Sequence, residues 1–594
     1  MKVCLAQINT TPGDFNGNLK KVQLGINAAS TAGADLVVFP ELTLPGYLSQ
    51  DLIYNPDFIA RNLQALQEVV EMSVHCNPTL HIVIGYIGKN TGIGKPFTNL
   101  AGVINKGSLT HIYQKQLLPF YDVFDELRYF EPGNQLTMFN IGSVKVGLAI
   151  CEDLWNDKGA DDYRYVDNPL EKYRAAGVDV LVSINSSPFV HGKCQQRLDH
   201  IAPATLGGPA IVYVNQCGGQ DELVFDGQSF VAKEGAVQHL SSNIFNDTFD
   251  VVEIFEETLC TPEAVSTPEA VSTPEAAFAL NEVKPGWVSL ADLLVLGLRD
   301  YVQKSGFSQI VLASSGGVDS AVVCKLACDA VGAKNVHAIR MPSIFSSPHS
   351  RDDAKLLHEN LGCWDYEVPI EHETLVQSLN ERFSVHDHSA NIAARKVFSG
   401  GDSSVADENI QARLRDVYLM HFSNAYGAMP LSTGNKTESG CGYYTHFDMN
   451  FSYAPIKDLY KFEVVDLAMD DARIPKHIWQ KPPSAELAFG QTDEESLLPY
   501  ALLDPIVMSY VEDYVTSFER FRAWVAKPSR QKISGNFKTL LDWLDREGAM
   551  NDYERIVSLI GRMEYKRRQT CPGTKVSKVA FGIGRRIPIV EKWS

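Results

Sequence analysis

Several features common in nucleotide-handling and secreted proteins are missing from this chain of 594 residues. It contains no GxxxxGK[ST] and no GxGxxG pattern, which removes two common phosphate-binding loops. It has no run of about eighteen apolar residues, so no transmembrane helix is expected. The eleven cysteines are scattered, without a CxxC pair or zinc-type spacing. That usage favours a reducing compartment over a disulfide framework. Basic residues are scarce, 53 Lys and Arg against 72 Asp and Glu, for a formal charge of −19. Such a balance excludes a general binder of nucleic acid or anionic membrane, and any anionic substrate must find a local basic patch. The first ten residues alternate like a strand and lack a signal-peptide core, so a cytoplasmic location is expected.

What is present is enough apolar material, 45% of residues, for more than one sizeable core. Short β-branched runs alternate with helix-like segments at Val3–Ile8, Leu36–Phe39, His81–Ile87, Leu100–Ile104, Val144–Ile150, Val178–Ile184 and Ile211–Val214. Gly, Asn or Pro bounds most of them, as an α/β layered domain requires. The composition then breaks: TPEAVS occupies 261–266, repeats at 267–272 and recurs in part at 273–276. Pro and Glu at that density cannot build a core, so 256–284 reads as a solvated linker or an inserted surface loop. A second α/β unit, 285–594, follows it.

The most informative stretch of that second unit is Ser314-Ser315-Gly316-Gly317-Val318-Asp319-Ser320. It lies between the strand-like Ile310–Leu312 and the apolar helical run Ala321–Ala327, with a stop signal at Gly332. Two glycines let the backbone approach a ligand closely, and free N–H groups at a helix start attract an anion. Asp319 beside such a site makes sense mainly if a cation bridges it to phosphate. SGG alone is also the composition of an ordinary surface turn. In its strand–loop–helix setting, the stretch resembles the pyrophosphate-binding loop of ATP pyrophosphatases.

Three polar residues stand at strand ends in the first unit. Glu41 follows Leu36–Pro40, Lys115 follows a hairpin turning at Asn105-Lys106-Gly107, and Cys151 ends Lys145–Ile150. Singly, each has a plain alternative: a core thiol, or solvated surface charge. Together they supply what thiolate attack on a carboxamide needs, namely a nucleophile, a base and a cation near the oxyanion. Their contexts, VFPELTLPGY, QKQLLPFYDVFDELRYF and GLAICEDLW, resemble the nitrilase superfamily over roughly residues 1–255. That resemblance implies a Glu41–Lys115–Cys151 triad with Glu126 supporting the lysine and substrate. It also implies that Tyr121, Ser187 and Lys193 fall where glutamine-dependent members hold glutamine; an ordinary loop is the alternative.

Further blocks recur in the second unit: MPSIFSSPHS from Met341, DENIQARLR from Asp407, LSTGNKTE from Leu431, PIKDLYK from Pro455, PSAEL from Pro483 and KRRQ from Lys566. With the Ser314–Ser320 loop they resemble the glutamine-dependent NAD synthetases over nearly the whole chain. The fold this implies is α/β: a nitrilase-like α-β-β-α sandwich followed by a doubly wound parallel-sheet ATP pyrophosphatase domain. The substrates implied are glutamine, ATP and deamido-NAD, with Mg2+ as cofactor, no nucleic-acid or membrane partner, and a homo-oligomeric state. Carried over by position, Ser314, Ser315, Gly316, Gly317, Val318, Asp319, Ser320 and Thr433 would hold ATP. Asn409, Glu438 and Lys566 would meet deamido-NAD, and Asp319 and Glu438 would ligate the metal. The basic C-terminal residues, including Arg567, Lys575 and Arg585, are expected to cover an anionic ligand.

Two departures from the family pattern are Ile344, where a polar residue is expected, and Thr445-His446-Phe447-Asp448. Another amidotransferase of the pyrophosphatase type, such as a GMP or asparagine synthetase, is the alternative enzyme. A catalytically silent interaction protein is the alternative class.

Overall fold

The computed structural model describes residues 1–156, 165–255, 288–384, 405–445, 451–488, 497–530, 537–582 and 584–586. The TPEAVS repeats, His446–Asp448 and Ile587–Val590 lie outside them. The chain forms two compact units, Met1–Gln220 with Val224–Val288, and Asp221–Leu223 with Ser289–Ser594.

In the first unit, Val3, Leu5, Leu36 and Val38 face one core while their flanking residues are also covered, as in strands buried on both faces. These strands are β1 (Lys2–Gln7) and β2 (Leu36–Val38), followed by β3 (His81–Lys89), β4 (Phe97–Asn105) and β5 (Ser108–Gln114). They form a six-stranded sheet with β14 (Thr248–Glu253), in the order β14-β1-β2-β3-β4-β5. Pairing is parallel through β1-β2-β3 and antiparallel at both margins. The β4–β5 turn has Lys106 at φ 50° and Gly107 at φ 73°, the two positive angles of a tight two-residue hairpin.

The second sheet repeats the plan with β6 (Met138–Ile141), β7 (Val144–Ile150), β8 (Val180–Asn185), β9 (Ala210–Asn215), β12 (Phe230–Lys233) and β13 (Ala236–Leu240), in the order β13-β12-β9-β8-β7-β6. Between β9 and β12 comes a separate hairpin, β10 (Cys217–Gln220) and β11 (Leu223–Asp226). Val146, Leu148, Ile184 and Tyr213 of the second sheet join Val38, Val83, Val103 and Tyr113 of the first in one continuous core.

Helices α1 (Phe15–Thr31) and α2 (Pro56–Val74) cover the outer face of the first sheet. Asp14 caps α1 by accepting from the Gly17 N–H at 2.9 Å, and Leu19, Val22, Ile26 and Ala29 form its buried stripe. The short α3 (Glu126–Tyr129) and α4 (Pro169–Ala175) lead to α5 (Lys193–Ala204), which packs on β12 and β13. The unit is the expected α-β-β-α sandwich.

The second unit is built on four parallel strands: β15 (Ile310–Ala313), β16 (Val336–Arg340), β17 (Trp364–Glu367) and β18 (Met429–Leu431), in the order β17-β16-β15-β18. Helices α6 (Leu290–Lys304), α7 (Val318–Val331), α8 (Pro348–Leu361), α9 (Glu373–Ser384) and the helix Val405–Tyr426 connect or flank them. The chain leaves β15 toward β16 and returns to β18 on its other side. The order therefore reverses at β15–β18, and a crevice opens at the strands' C-terminal ends in such sheets. A second core gathers the later helices, with Leu503, Val507, Phe521, Trp524, Trp543, Tyr553 and Ile556.

One buried ion pair anchors the sandwich. Arg197 of α5, fully buried, donates from both terminal nitrogens to Asp226, at 3.0 and 2.8 Å, and to the Ser187 carbonyl at 3.0 Å. Removing the guanidinium strands a carboxylate in the interior. Arg197→Leu is therefore expected to destabilise the first unit by about 3–5 kcal/mol, and Arg197→Leu with Asp226→Leu by less. Urea unfolding followed on the isolated transition of that unit checks this; a loss under about 1 kcal/mol for the single variant would disprove the anchoring role.

Candidate active sites

Cys151 directly follows β7 and opens a single 3₁₀ turn, Cys151–Leu154. Its φ is 47°, a left-handed angle that a residue with a Cβ adopts only under tertiary constraint. Asp153 supplies that constraint. One of its oxygens accepts from the Ile150 N–H at 2.9 Å and the Tyr113 hydroxyl at 2.8 Å. The other accepts from the backbone N–H groups of Gln116 and Leu117, at 3.1 and 2.9 Å. The turn bearing Cys151 is thus tied directly to the segment bearing Lys115.

Lys115 follows β5 and has no solvent exposure. Its Nζ donates to Glu41 Oε1 at 2.6 Å and to Glu126 Oε1 and Oε2 at 2.9 and 2.8 Å. Glu41, three residues after β2, also accepts from Asn99 Nδ2 at 2.7 Å and from the Ser186 N–H at 3.2 Å. Glu126 accepts from the Tyr47 hydroxyl at 3.0 Å. Burial pulls the Lys115 ammonium downward, but the adjacent charges of Glu126 and Glu41 overcome it and hold its pKa well above the ordinary lysine value. Burial, then the charge of Glu41, push the Cys151 thiol well above the usual cysteine range, with Lys115 opposing. Glu126 is raised to about 7, chiefly by burial. A thiol pushed above its usual range thus lies beside a lysine held above its own.

Two of the residues expected to hold glutamine, Tyr121 and Lys193, fall around the same turn. Tyr121 donates to Glu152, the residue after Cys151, at 2.9 and 3.1 Å, and Tyr165 meets the same carboxylate at 2.9 Å. Lys193 opens α5, with its Nζ 4.1 Å from the centre of the Trp155 ring. Ser187 is buried, its N–H on Asn215 at 2.9 Å and its hydroxyl accepting from Arg197 Nε at 3.3 Å. Asn99, Tyr47, Asp153 and Ser186 were not singled out in the sequence. Asp153 and Tyr47 lie inside the quoted blocks, whereas Asn99 has no sequence signal.

In the second unit, the Ser314–Ser320 loop leaves β15 and enters α7 at Gly317, its N-cap. Gly316 has φ 78°, and a Cβ there would lie 2.2 Å from the Ser350 carbonyl oxygen. Only glycine permits both the angle and the approach to α8. The loop is self-bonded: Ser315 Oγ accepts from the Gly317 N–H at 3.2 Å, and Ser320 Oγ donates to the Gly317 carbonyl at 3.0 Å. Ser314 Oγ meets His358 Nε2 at 2.8 Å.

Asp319 and Glu438, the expected metal ligands, are brought to one point by a lysine not singled out for that role. Lys461 Nζ donates to Asp319 Oδ2 and, at 3.3 Å, to Glu438 Oε1. Asn435, following β18, donates to Asp319 Oδ1 at 2.9 Å. The loop after β15 and the turn after β18 are thereby joined at the switch point. Thr433 lies half-buried in that turn. Asn409 accepts from the Thr445 hydroxyl at 2.6 Å, and Lys566 Nζ donates to the Gly442 and Tyr444 carbonyls, both at 2.8 Å. Asn409, Glu438 and Lys566 thus all border the segment 438–445. Glu486 of PSAEL is a further site neighbour. It accepts from the hydroxyls of Ser347 and Ser350, at 2.9 and 2.6 Å, at the start of α8.

Some basic groups are committed elsewhere than the sequence suggests. Lys436, the ammonium of LSTGNKTE, is fully buried on Asp458, Ser577 and the Val579 carbonyl. Arg567 donates to the Gly440 and Ile560 carbonyls, Lys575 to the Ser577 carbonyl and Arg585 to the Val511 carbonyl. These four close internal backbone and side-chain acceptors instead of presenting free charge to an anion. Ile344, the departure in MPSIFSS, is 54% exposed and so costs the core nothing.

Residues 2–237 match the carbon–nitrogen hydrolase family model and residues 290–534 the NAD synthase model. The chain is 35% identical to the glutamine-dependent NAD(+) synthetase of Thermotoga maritima, covering 100% of this chain and 99% of that protein. It is also 35% identical to that of Synechocystis sp., covering 99% and 98%. Among solved structures, the glutamine-dependent NAD+ synthetase of Acinetobacter baumannii in complex with ADP is 30% identical, with a TM-score of 0.68 over 100% of this chain and 99% of that one. The Cytophaga hutchinsonii counterpart, at 19% identity and a TM-score of 0.72, shares the fold. Identity sustained from end to end, through both family models in the same order, establishes that the chain belongs to the glutamine-dependent NAD+ synthetases.

Proposed function

We propose that the first unit hydrolyses glutamine and that the second uses the ammonia to amidate deamido-NAD, consuming ATP and giving NAD+, AMP, pyrophosphate and glutamate. The observation that carries this reading is the fully buried Lys115 ammonium held between Glu41 and Glu126 beside the strained Cys151. Cys151 attacks the glutamine carboxamide while Glu41 takes the thiol proton and returns it to the departing ammonia. Lys115 remains charged and offsets the developing oxyanion. Water then cleaves the thioester to glutamate. Glu126 fixes the ammonium, and Tyr121, Ser187 and Lys193 orient the substrate.

In the second unit, the nicotinate carboxylate is a poor electrophile and must first acquire a leaving group. Ser314–Ser320 and Thr433 hold ATP, and attack on its α-phosphorus makes an adenylate and expels pyrophosphate. Asn409, Glu438 and Lys566 hold deamido-NAD. Asp319 and Glu438 offer hard oxygen donors beside a phosphate loop, a donor set that suits Mg2+. Bound there, Mg2+ would supply charge neutralisation to the phosphates. Ammonia then displaces AMP, and it must arrive unprotonated because ammonium has no lone pair. The unit boundaries proposed are 1–255 and 285–594, joined by the 256–284 linker, in a cytoplasmic homo-oligomer. No helix among the described residues is long and apolar enough to cross a membrane.

Three experiments test these assignments. Cys151→Ala is expected to lower glutamine-dependent NAD+ synthesis by on the order of 10³-fold or more. Ammonium salt at mildly alkaline pH should restore synthesis, with AMP and pyrophosphate released one for one. Persisting glutamine use would make Cys151 a core thiol, and ADP as product would overturn the loop assignment. Asp319→Asn is expected to lower synthesis from both nitrogen sources by about 10²–10³-fold while glutamine hydrolysis survives. Near-normal NAD+ formation by that variant would remove Asp319 from the site.

The raised Cys151 pKa carries a pH signature. A thiol above its usual range has less thiolate at neutrality than a free cysteine. Without glutamine, methyl methanethiosulfonate should therefore modify Cys151 more slowly than a free thiol at pH 7, with the rate rising on the alkaline side. Mass spectrometry of the modified peptide reads the rate; fast, pH-independent labelling from pH 6 to 8 would mean a resting thiolate.

A further inference from the structure

Behind the Ser314–Ser320 loop lies a cluster that neither reaction uses. Cys324 and Cys328 stand four residues apart on α7 and so project from one face. Cys363 follows Gly362, whose φ of 72° ends α8 and turns the chain into β17. The three sulfurs lie within 4.8 Å of one another, and Cys324 Sγ is 3.8 Å from Cys363 Sγ. All three are free thiols. Cys324 and Cys328 are buried and Cys363 is half-buried, so Cys363 is the member of the trio that is partly open to solvent. The pattern was invisible as spacing, because the third sulfur comes from the far end of α8.

The separation is informative. A tetrahedral metal with bonds of about 2.3 Å to sulfur has sulfur–sulfur edges of about 3.8 Å. Two thiols at i, i+4 on a helix with a third on a glycine-capped turn give one face of such a tetrahedron. The neighbouring imidazole does not complete it: His358 meets Asp365 at 2.6 Å through Nδ1 and Ser314 at 2.8 Å through Nε2. Oxygen donors nearby are also engaged, Asp329 pairing with Lys325 and Arg473. An all-sulfur set of this kind prefers soft cations over Mg2+ or Ca2+.

We propose that Cys324, Cys328 and Cys363 form a three-thiolate site for a thiophilic metal ion, Zn2+ in its simplest form, with the fourth position open to water or an exogenous thiol. Binding releases the thiol protons and ties the middle of α7 to the turn between α8 and β17. Since α7 begins at the phosphate loop and His358 touches Ser314, the ion braces that loop from behind. Its effect is on rigidity, and it takes no part in adenylation.

The test uses the full chain, reduced, stripped with chelator and handled without oxygen. Co2+ alone serves as the probe, because thiolate ligation gives sulfur-to-cobalt charge-transfer absorption and strong tetrahedral d–d bands. Oxygen ligation at Asp319 and Glu438 gives neither. The expected result is one equivalent of cobalt with the thiolate spectrum, displaced by one equivalent of Zn2+, and a thermal midpoint that rises with Zn2+. Cys363→Ser and, separately, Cys328→Ala should each abolish the spectrum and the rise, while Cys151→Ala keeps both. Retained ammonia-dependent NAD+ synthesis in the two variants confirms that they fold. An oxygen-only cobalt spectrum in the unaltered chain overturns the proposal, as does a thiolate spectrum that survives both substitutions.

Discussion

The ammonium of Lys115 is the point on which the first unit depends. Taking a lysine wholly out of water costs several kcal/mol unless its donors are satisfied and its charge is met. Here Glu41 and Glu126 do both. They in turn need donors, which Asn99, Ser186 and Tyr47 provide. The consequence reaches beyond the site, because Glu41 and Lys115 follow strands of the first sheet, β2 and β5, while Ser186 and Cys151 follow strands of the second, β8 and β7. Together with Asp153, which ties the Cys151 turn to Tyr113, Gln116 and Leu117, this network fixes the register of two sheets whose apolar faces alone would allow sliding. The strained φ of Cys151 is carried by those contacts.

The second unit repeats the device with a different outcome. Lys461 also stands between two carboxylates, Asp319 and Glu438, but their side chains are 17% exposed, whereas Glu41 and Lys115 have no exposure. An ammonium whose carboxylates are wholly buried is a permanent part; carboxylates that are partly wet can exchange partners when a ligand arrives. The parallel sheet explains where this happens. All four strands deliver their C-terminal ends to one edge, and the order reversal leaves the turns after β15 and β18 side by side.

How much of this was legible in the sequence follows from the range of each interaction. Short β-branched runs marked β1 to β4 and β7 to β9 of the first unit and β15 of the second, since burial on two faces leaves a continuous apolar signature, whereas β17 (WDYE) and β18 (MPL) carry no such run. Glu41, Lys115, Cys151 and the Ser314–Ser320 loop were legible because strand ends and glycines mark them locally. Lys461, Asn99 and Glu486 were not, because each acquires its role from a partner 58 to 142 residues away. The partners of Lys436 were hidden for the same reason: folding buries its ammonium on Asp458 and Ser577, 22 and 141 residues away. The basic C-terminal segment likewise reads as a charge reservoir, whereas Arg567, Lys575 and Arg585 cap backbone carbonyls.

That last commitment sharpens the electrostatic problem of the proposed adenylation. A chain of net charge −19 must receive two polyanionic nucleotides. Lys461 is already shared by Asp319 and Glu438, so that trio carries one net negative charge, and Lys566 is spent on the Gly442 and Tyr444 carbonyls. Neither ammonium can face a phosphate without giving up a partner. On the proposed reading, a divalent cation at Asp319 and Glu438 resolves both difficulties at once. Bound there, it would turn the local sum from one negative to one positive charge, and Lys461 would then be available to meet phosphate. On that reading the acidic pair would serve binding because it is acidic: without a cation it would repel the nucleotide, and with one it would couple metal and phosphate in a single event.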